Sequence, residues 1–149
     1  MIRRVLTYPQ DKRTLRTPCQ VVTRDDNLRE VLTDLMDTLK ANPYALGLSA
    51  PQIGSLLRVF VVRNGAEIMG FVNPAIVQTG PDMETADEGC LSLPGCHARV
   101  TRATWIRLVK QQGIGGTVMA TAQGHHARVV QHELDHLDGI ICIMREAHQ

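Results

Sequence analysis

The sequence predicts an α+β fold in which antiparallel β-sheets surround a central helix with an H-E-x-x-H motif. Three observations support this: an amphipathic stretch at helical spacing near the start, several short strand-like stretches joined by tight turns, and a second helical stretch near the end. Short strands with tight turns pair antiparallel, because a parallel pair needs a long crossover connection. The first helix is expected to pack on the outside of the sheets.

The length and composition fit one domain over residues 1–149. The chain has 149 residues, of which 44% are hydrophobic and 21% charged, so it can bury a core without disulfides. A formal net charge of +1 disfavours a general nucleic-acid binder, which carries a broad basic surface. We therefore expect no specific nucleic-acid partner.

The cysteines and the apolar runs bear on where the protein works. The four cysteines contain no Cys-x-x-Cys pair and are expected to be reduced thiols. The N-terminus lacks the apolar core of a secretory signal, and no apolar run approaches the roughly 20 residues that cross a bilayer. These features predict no membrane contact and a cytoplasmic location.

The first predicted helix covers residues 26–41. Its apolar residues recur at helical spacing, with Asp25 and Asp26 as candidate N-caps and Asn42-Pro43 as the end. This pattern is typical of a helix that packs on a core and carries no chemistry.

The predicted strands lie in the middle of the chain, at residues 57–62, 68–72, 75–79, 104–110 and 117–122. Asn64-Gly65 between the first two is a strong hairpin signal. A glycine-rich turn at residues 113–116 separates the last two.

The strongest chemical signal is His132-Glu133-Leu134-Asp135-His136. Residues four apart lie on one face of a helix, so both imidazoles can hold one metal ion while the glutamate stands beside it. The opposite face is apolar, which predicts a helix buried on both sides and ended near Gly139. A single histidine is more often a core or surface residue, but the paired spacing with a glutamate favours a metal site.

A third ligand must come from elsewhere, because a catalytic site usually has three protein ligands and one open position. Glu146 and His148 follow the motif in a short tail, but Cys90 is the better candidate since a thiolate binds borderline metals well. Viewed alone, a cysteine is more often a small buried hydrophobe. Gln52 lies in a segment of small residues. This segment could be an ordinary loop, or it could place the Gln52 amide where it donates a hydrogen bond to an oxyanion.

Three motifs in this order resemble those of the peptide deformylase family, and the resemblance covers about residues 5–144. They are Gly47-Leu48-Ser49-Ala50-Pro51-Gln52, Glu88-Gly89-Cys90-Leu91-Ser92 and Gln131-His132-Glu133-Leu134-Asp135-His136. The second and third match the family fully. The first departs from it, with Ser49 for an alanine and Ala45 for an earlier glycine.

The resemblance implies removal of the formyl group from the N-terminal N-formylmethionine of newly made polypeptides. It implies that Cys90, His132 and His136 hold Fe²⁺ natively, with Zn²⁺, Ni²⁺ or Co²⁺ in its place in some preparations.

The same resemblance implies roles for three further groups. Glu133 is expected to act as general base and then general acid for a metal-activated water. The Gln52 amide and the Leu91 backbone N–H are expected to form the oxyanion hole.

The substrate is expected to bind like an added strand, with Leu46 and Gly47 on one side and Gly89 on the other. Its methionine side chain is expected near Val129 and Leu46. His97 stands where some bacterial relatives place an arginine near the bound peptide, so peptide affinity or pH dependence is expected to differ.

Several neighbouring residues are expected to support this site. Arg102 is expected to pair with Glu88, and Asp135 and Ser92 to orient the groups around the metal. Cys96 is a candidate partner for an oxidative disulfide with the metal cysteine.

The chain resembles the short deformylases, including phage-encoded ones, that lack the C-terminal helix with which many bacterial members dock on the ribosome. Its expected partners are formylated nascent peptides, its expected state is a monomer, and ribosome contact stays open. A phage-encoded form would work in the host-cell cytoplasm. Two other functions fit part of the sequence pattern: a zincin-type metallopeptidase, which the cysteine ligand and the additional motifs disfavour, and an inactive deformylase-like binder, which Glu133 and Gln52 disfavour.

Overall fold

Seven strands and three α-helices make up the described part of the chain, which comprises residues 1–24, 26–112 and 115–147 of a computed structural model. The helices are α1 (Lys12–Leu15), α2 (Leu28–Lys40) and α3 (Gly124–Leu137). The strands are β1 (Gly47–Ser49), β2 (Val59–Asn64), β3 (Glu67–Thr79), β4 (Met83–Gly89), β5 (His97–Ala103), β6 (Trp105–Gln112) and β7 (Gly116–Gln123). Two 3-10 helices, Ala50–Ile53 and Cys142–Arg145, complete the elements.

The strands form two antiparallel sheets. One has five strands in the order β1-β2-β3-β6-β7, and the other consists of β4 and β5 alone. The predicted α+β class with antiparallel pairing is therefore confirmed.

The predicted hairpin joins β2 to β3, but its turn is one residue later than expected: Asn64 is the last residue of β2 and pairs with Glu67, so the two turn residues are Gly65 and Ala66. The two stretches predicted as separate strands at 68–72 and 75–79 are a single strand, β3, which passes through a register shift between Val72 and Ala75. Asn73 sits in that shift with φ of 48°, and its side chain bonds both backbone groups of Val22 at 2.8 and 3.1 Å. The irregular residue is thus tied down, and the strand continues beyond it.

Strands β4 and β5 were not predicted, because their alternating charged and polar residues lack a strand-like apolar pattern. They form a hairpin inserted between β3 and β6. Two backbone hydrogen bonds join the start and the end of this inserted segment: Gly80 N–H donates to the Trp105 carbonyl at 2.8 Å, and Thr104 N–H donates to the Asp82 carbonyl at 2.9 Å.

Helix α2 confirms the first predicted helix and packs outside the five-stranded sheet, with Leu35 and Leu39 fully buried against β1 and β2. Its N-cap is Asn27, so the prediction of Asp26 as cap was wrong. The Asp26 carboxylate instead accepts hydrogen bonds from the backbone N–H and hydroxyl of Thr23. Asp25 lies outside the described residues, as do residues 113 and 114 of the predicted glycine-rich turn.

Helix α3 contacts both sheets and is buried on two faces. Its apolar face, including Val130 and Leu137, joins a core with Phe60 and Phe71, while its polar face carries the histidines. Gly139 ends the helix as predicted: its φ is 73°, and a Cβ there would lie 2.5 Å from the Arg16 carbonyl oxygen. Among the described residues, no helix combines the length and apolar character needed to cross a membrane.

Candidate metal centre

Three predicted ligands converge where the β4–β5 hairpin meets α3. Cys90 follows β4 directly, and His132 and His136 lie one turn apart on α3. Cys90 Sγ lies 3.3 Å from His136 Nε2, which lies 3.2 Å from His132 Nε2. The three candidate ligand atoms all lie within 4.8 Å of one another.

This spacing fits a tetrahedral transition-metal site, whose ligand atoms stand roughly 3.3–3.6 Å apart for bonds of about 2.0–2.3 Å. His132 Nδ1 contacts the Glu88 carboxylate at 2.9 Å; in the neutral imidazole that donates there, the Nε2 lone pair is free for a metal. Burial, and next the charge of His132, lower the pKa of His136, which favours the neutral imidazole that a metal requires. Within the described residues, His136 Nδ1 is buried without a hydrogen-bond partner.

Glu88 is the centre of a buried charge cluster behind the ligands. Its carboxylate contacts four nitrogens at 2.8–2.9 Å: two of Arg102, one of Arg128 and Nδ1 of His132. Burial by itself would raise the pKa of Glu88, but the hydrogen bonds and charges of Arg102 and His132 outweigh it and hold that pKa well below its usual range. The carboxylate is therefore an anion that orients His132.

Arg102 joins this cluster to a second carboxylate. The pairing of Glu88 with Arg102 expected from the sequence is present, and Arg102 Nη1 also donates to Asp135 at 2.6 Å. Asp135 in turn receives two hydrogen bonds from Arg145, at 2.7 and 2.8 Å. Asp135 thus supports the metal helix through Arg102 and Arg145.

Glu133 lies buried beside the three ligands. The Ser49 hydroxyl donates to its Oε2 at 2.5 Å, and Gly47 leaves the space that its Oε1 occupies, since a Cβ at residue 47 would lie 2.5 Å from that oxygen. Burial raises the pKa of Glu133, and the charge of His132 and the Ser49 hydrogen bond oppose that rise. The side chain is held in one place and has a raised proton affinity, as a group that exchanges protons requires.

The Gln52 amide is fixed at both ends. Its Oε1 accepts a hydrogen bond from Ser49 N–H at 2.9 Å, and its Nε2 lies 3.1 Å from Ser92 Oγ and 3.6 Å from Cys90 Sγ. The amide N–H groups therefore lie next to the cysteine ligand, with Ser92 as a neighbour.

A cavity of about 510 Å³ opens onto these groups. Besides Cys90, His132, Glu133 and Gln52, it is lined by every residue expected to contact the substrate or oxyanion: Leu46, Gly47, Gly89, Leu91, His97 and Val129. His136 is 1% exposed and contacts two of the lining residues, Cys90 and His132.

The remaining sequence candidates are placed elsewhere. Glu146 bridges to Val100 on β5 and is not part of the ligand cluster found among the described residues, while His148 lies outside them. Cys96 is an exposed free thiol at the cavity rim, and its disulfide with Cys90 stays a prediction.

Arg128 and His125 also line the cavity and were missed from the sequence. Arg128 stands four residues before His132, on the same helix face. That spacing is the signal that could have drawn attention to it.

Comparison with known proteins agrees with this geometry. The polypeptide deformylase family model matches residues 2–149. Peptide deformylase 1 of Clostridium perfringens is 39% identical over 139 residues, covering 91% of this chain and 93% of that protein. Peptide deformylase of Natranaerobius thermophilus is 43% identical over 127 residues, covering 85% of this chain and 81% of that protein.

Solved structures show the same fold. The crystal structure of peptide deformylase from Thermotoga maritima has a TM-score of 0.90 and 33% identity, covering 99% of both chains. The Met-Ala-Ser-bound class I type b peptide deformylase from Acinetobacter baumannii has a TM-score of 0.87 and 28% identity, covering 97% of this chain and 98% of that one. With its motifs, fold and near-complete family match, the chain belongs to the peptide deformylase family of metal-dependent hydrolases.

Proposed function

We propose that this protein hydrolyses the formyl group from the N-terminal N-formylmethionine of newly made polypeptides, releasing formate and a free amine. The observation that carries the proposal is the convergence of Cys90, His132 and His136 beside a buried, oriented Glu133. A structural metal site closes its fourth position and has no use for a neighbouring general base.

A divalent metal fits these three ligands, and when bound it supplies Lewis acidity and makes a nearby water a better nucleophile. A mixed thiolate and imidazole donor set can bind Fe²⁺, which we propose as the native ion, as well as Zn²⁺, Ni²⁺ or Co²⁺.

Glu133 moves the proton in this proposal. Its carboxylate takes a proton from the attacking water and then gives it to the departing amine nitrogen, acting as base and then as acid. The raised pKa of Glu133 supports the first step, because a stronger base takes the proton from the attacking water more readily.

Gln52 and Leu91 stabilise the negative charge that develops on the formyl oxygen. The Gln52 amide is aligned by Ser49 and lies beside Cys90, and the Leu91 backbone N–H follows Cys90 in the cavity wall. Removing one donor of this kind typically slows a reaction roughly 10²–10³-fold.

The peptide binds between two strand edges. Strand β1 is the end strand of the five-stranded sheet and, among the described residues, β4 pairs with β5 alone. Gly47 of β1 and Gly89 of β4 both line the cavity. We place the substrate backbone between Leu46 and Gly47 on one side and Gly89 on the other, with its methionine side chain near Val129 and His97 close to the following residues. An Acinetobacter baumannii relative binds Met-Ala-Ser, the product that this reaction gives from formyl-Met-Ala-Ser.

The test is an assay of formate release from formyl-Met-Ala-Ser by protein loaded anaerobically with Fe²⁺. We expect turnover by the wild type and its near loss in Glu133→Gln, with unchanged metal content measured by elemental analysis. Cleavage of internal peptide bonds instead would indicate a metallopeptidase. Absence of turnover in correctly loaded wild-type protein would overturn the proposal and favour a binding protein.

A further inference from the structure

The two walls of the cavity are held in place by different forces. On one wall, Leu48 and Ser49 of β1 are fully buried and the strand is hydrogen-bonded to β2. On the other, β4 lies entirely within the described residues, and only Glu88 of its seven residues is buried. Apart from its pairing with β5, β4 therefore depends on polar contacts for its position.

Arg128 of α3 supplies a large part of those contacts. Its side chain is 6% exposed. Nη1 donates to Glu88 Oε2 and to the Val100 carbonyl, both at 2.8 Å, and Nη2 donates to the Glu84 carbonyl at 2.6 Å. One guanidinium thus joins the metal helix to β4 at two residues and to β5 at one.

Arg102 makes a different connection. It lies on β5 and bonds Glu88 within the hairpin and Asp135 on α3. It therefore ties β5 to the helix, whereas Arg128 reaches the main chain of β4 through Glu84. A planar guanidinium can make these divergent hydrogen bonds at once, and a lysine ammonium at the end of its flexible stem cannot reproduce the fork.

We propose that Arg128 is a positioning residue that fixes the β4 edge relative to α3, and so fixes the peptide-binding edge relative to the metal centre. This rests on the proposed function. Arg128 acts on substrates long enough to pair with β4. N-formylmethionine amide, which offers little backbone beyond the first residue, depends on it much less.

The experiment compares Arg128→Met and Arg128→Lys with wild type on formyl-Met-Ala-Ser and on N-formylmethionine amide. Arg99→Met is the matched control, because Arg99 pairs with Asp87 at 3.8 Å across the same two strands but on an exposed face. Hydrogen exchange of the metal-loaded proteins, read by mass spectrometry over residues 83–89 and 47–49, provides a measurement that does not require activity.

We expect Arg128→Met to lower the ratio of kcat/KM for formyl-Met-Ala-Ser to kcat/KM for N-formylmethionine amide about tenfold, which corresponds to the loss of one charge-assisted hydrogen bond. The change should appear as a higher KM for the tripeptide, with kcat nearly unchanged. Exchange should rise in β4 and stay unchanged in β1. Arg128→Lys should recover part of both effects, and Arg99→Met should match the wild type.

Unchanged preference and unchanged β4 exchange in Arg128→Met would overturn the proposal. So would an equal fall in kcat on both substrates, which would mean that Arg128 acts through Glu88 on the metal centre. If Arg128→Met does not fold, the lysine variant decides by the same two measurements. Wild-type protein that hydrolyses neither substrate would refute the proposed function, while the exchange data would still test the link between Arg128 and β4.

Discussion

Replacing Gly47 with alanine would place a methyl group where the Glu133 side chain lies. The new Cβ would stand 2.5 Å from Glu133 Oε1 and 2.8 Å from both Cδ and Cγ. Since nonbonded heavy atoms pack at about 3.5–4.0 Å, the carboxylate has to move by roughly 1 Å from the position in which the Ser49 hydroxyl holds it.

The expected effect is large on the reaction and small on the fold. Gly47 has no positive φ, so an alanine backbone is tolerated, and the group that must yield is the end of a flexible side chain. A displacement of about 1 Å at a reacting group costs about 10²-fold in rate, equivalent to about 2.7 kcal/mol in the activation barrier. The three proposed metal ligands are untouched.

The assay is kcat/KM of Gly47→Ala on formyl-Met-Ala-Ser, together with its metal content and thermal midpoint. Gly70→Ala is the control: its Cβ would lie 3.1 Å from Leu32 Cδ2, a milder crowding at a glycine outside the cavity lining, and its activity should equal that of the wild type. A metal-loaded Gly47→Ala protein with wild-type kcat would refute the reasoning, as would loss of the metal in place of loss of rate.

Two further predictions concern titrating groups. The lowered pKa of Glu88, where Arg102 overcomes the effect of burial, means that its charge stabilises the fold above its unfolded pKa; this contribution is lost as the pH falls below about 4.5. Chemical unfolding of the metal-free protein should therefore show that the free energy of unfolding falls less steeply with decreasing pH in Glu88→Gln than in the wild type, by at most about 1.4 kcal/mol per pH unit. Identical slopes in the two proteins would contradict this. Burial raises the pKa of Cys19 and of Cys142 to about 11, so iodoacetamide at pH 8 should label exposed Cys96 first, and peptide mapping showing equal labelling of Cys142 would be inconsistent.

Helix α3 was predictable because its candidate metal ligands and its apolar core residues both recur with the period of an α-helix. His132 and His136 repeat every four residues on one face and the apolar residues occupy the other, so one stretch of sequence specifies both the ligands and the buried position. The hairpin between β2 and β3 was predictable for a similar reason, since a glycine-containing turn signal stands between two strand-like stretches; its turn residues, Gly65 and Ala66, lie one position later than predicted.

The β4–β5 hairpin was missed because its position depends on distant charges. From the sequence alone, a glutamate such as Glu88 is expected on the surface. In the structure it is buried, and its partners Arg102, Arg128 and His132 lie 14, 40 and 44 residues away in the sequence. Neither propensity nor periodicity registers a contact between charged residues so far apart. The pairing with Arg102 was expected only through the family resemblance, and Arg128 was not expected at all.

The insertion of the β4–β5 hairpin between β3 and β6 bears on the order of folding. A hydrogen bond between Gly80 and Trp105 closes the base of the insertion. In the five-stranded sheet β3 pairs directly with β6, so none of its strand pairs includes β4 or β5. We therefore expect the sheet to form as an early cooperative unit, with the hairpin docking onto α3 as a later one. Because that docking brings the Cys90 thiol to the histidines, metal uptake would belong to the last stage of folding.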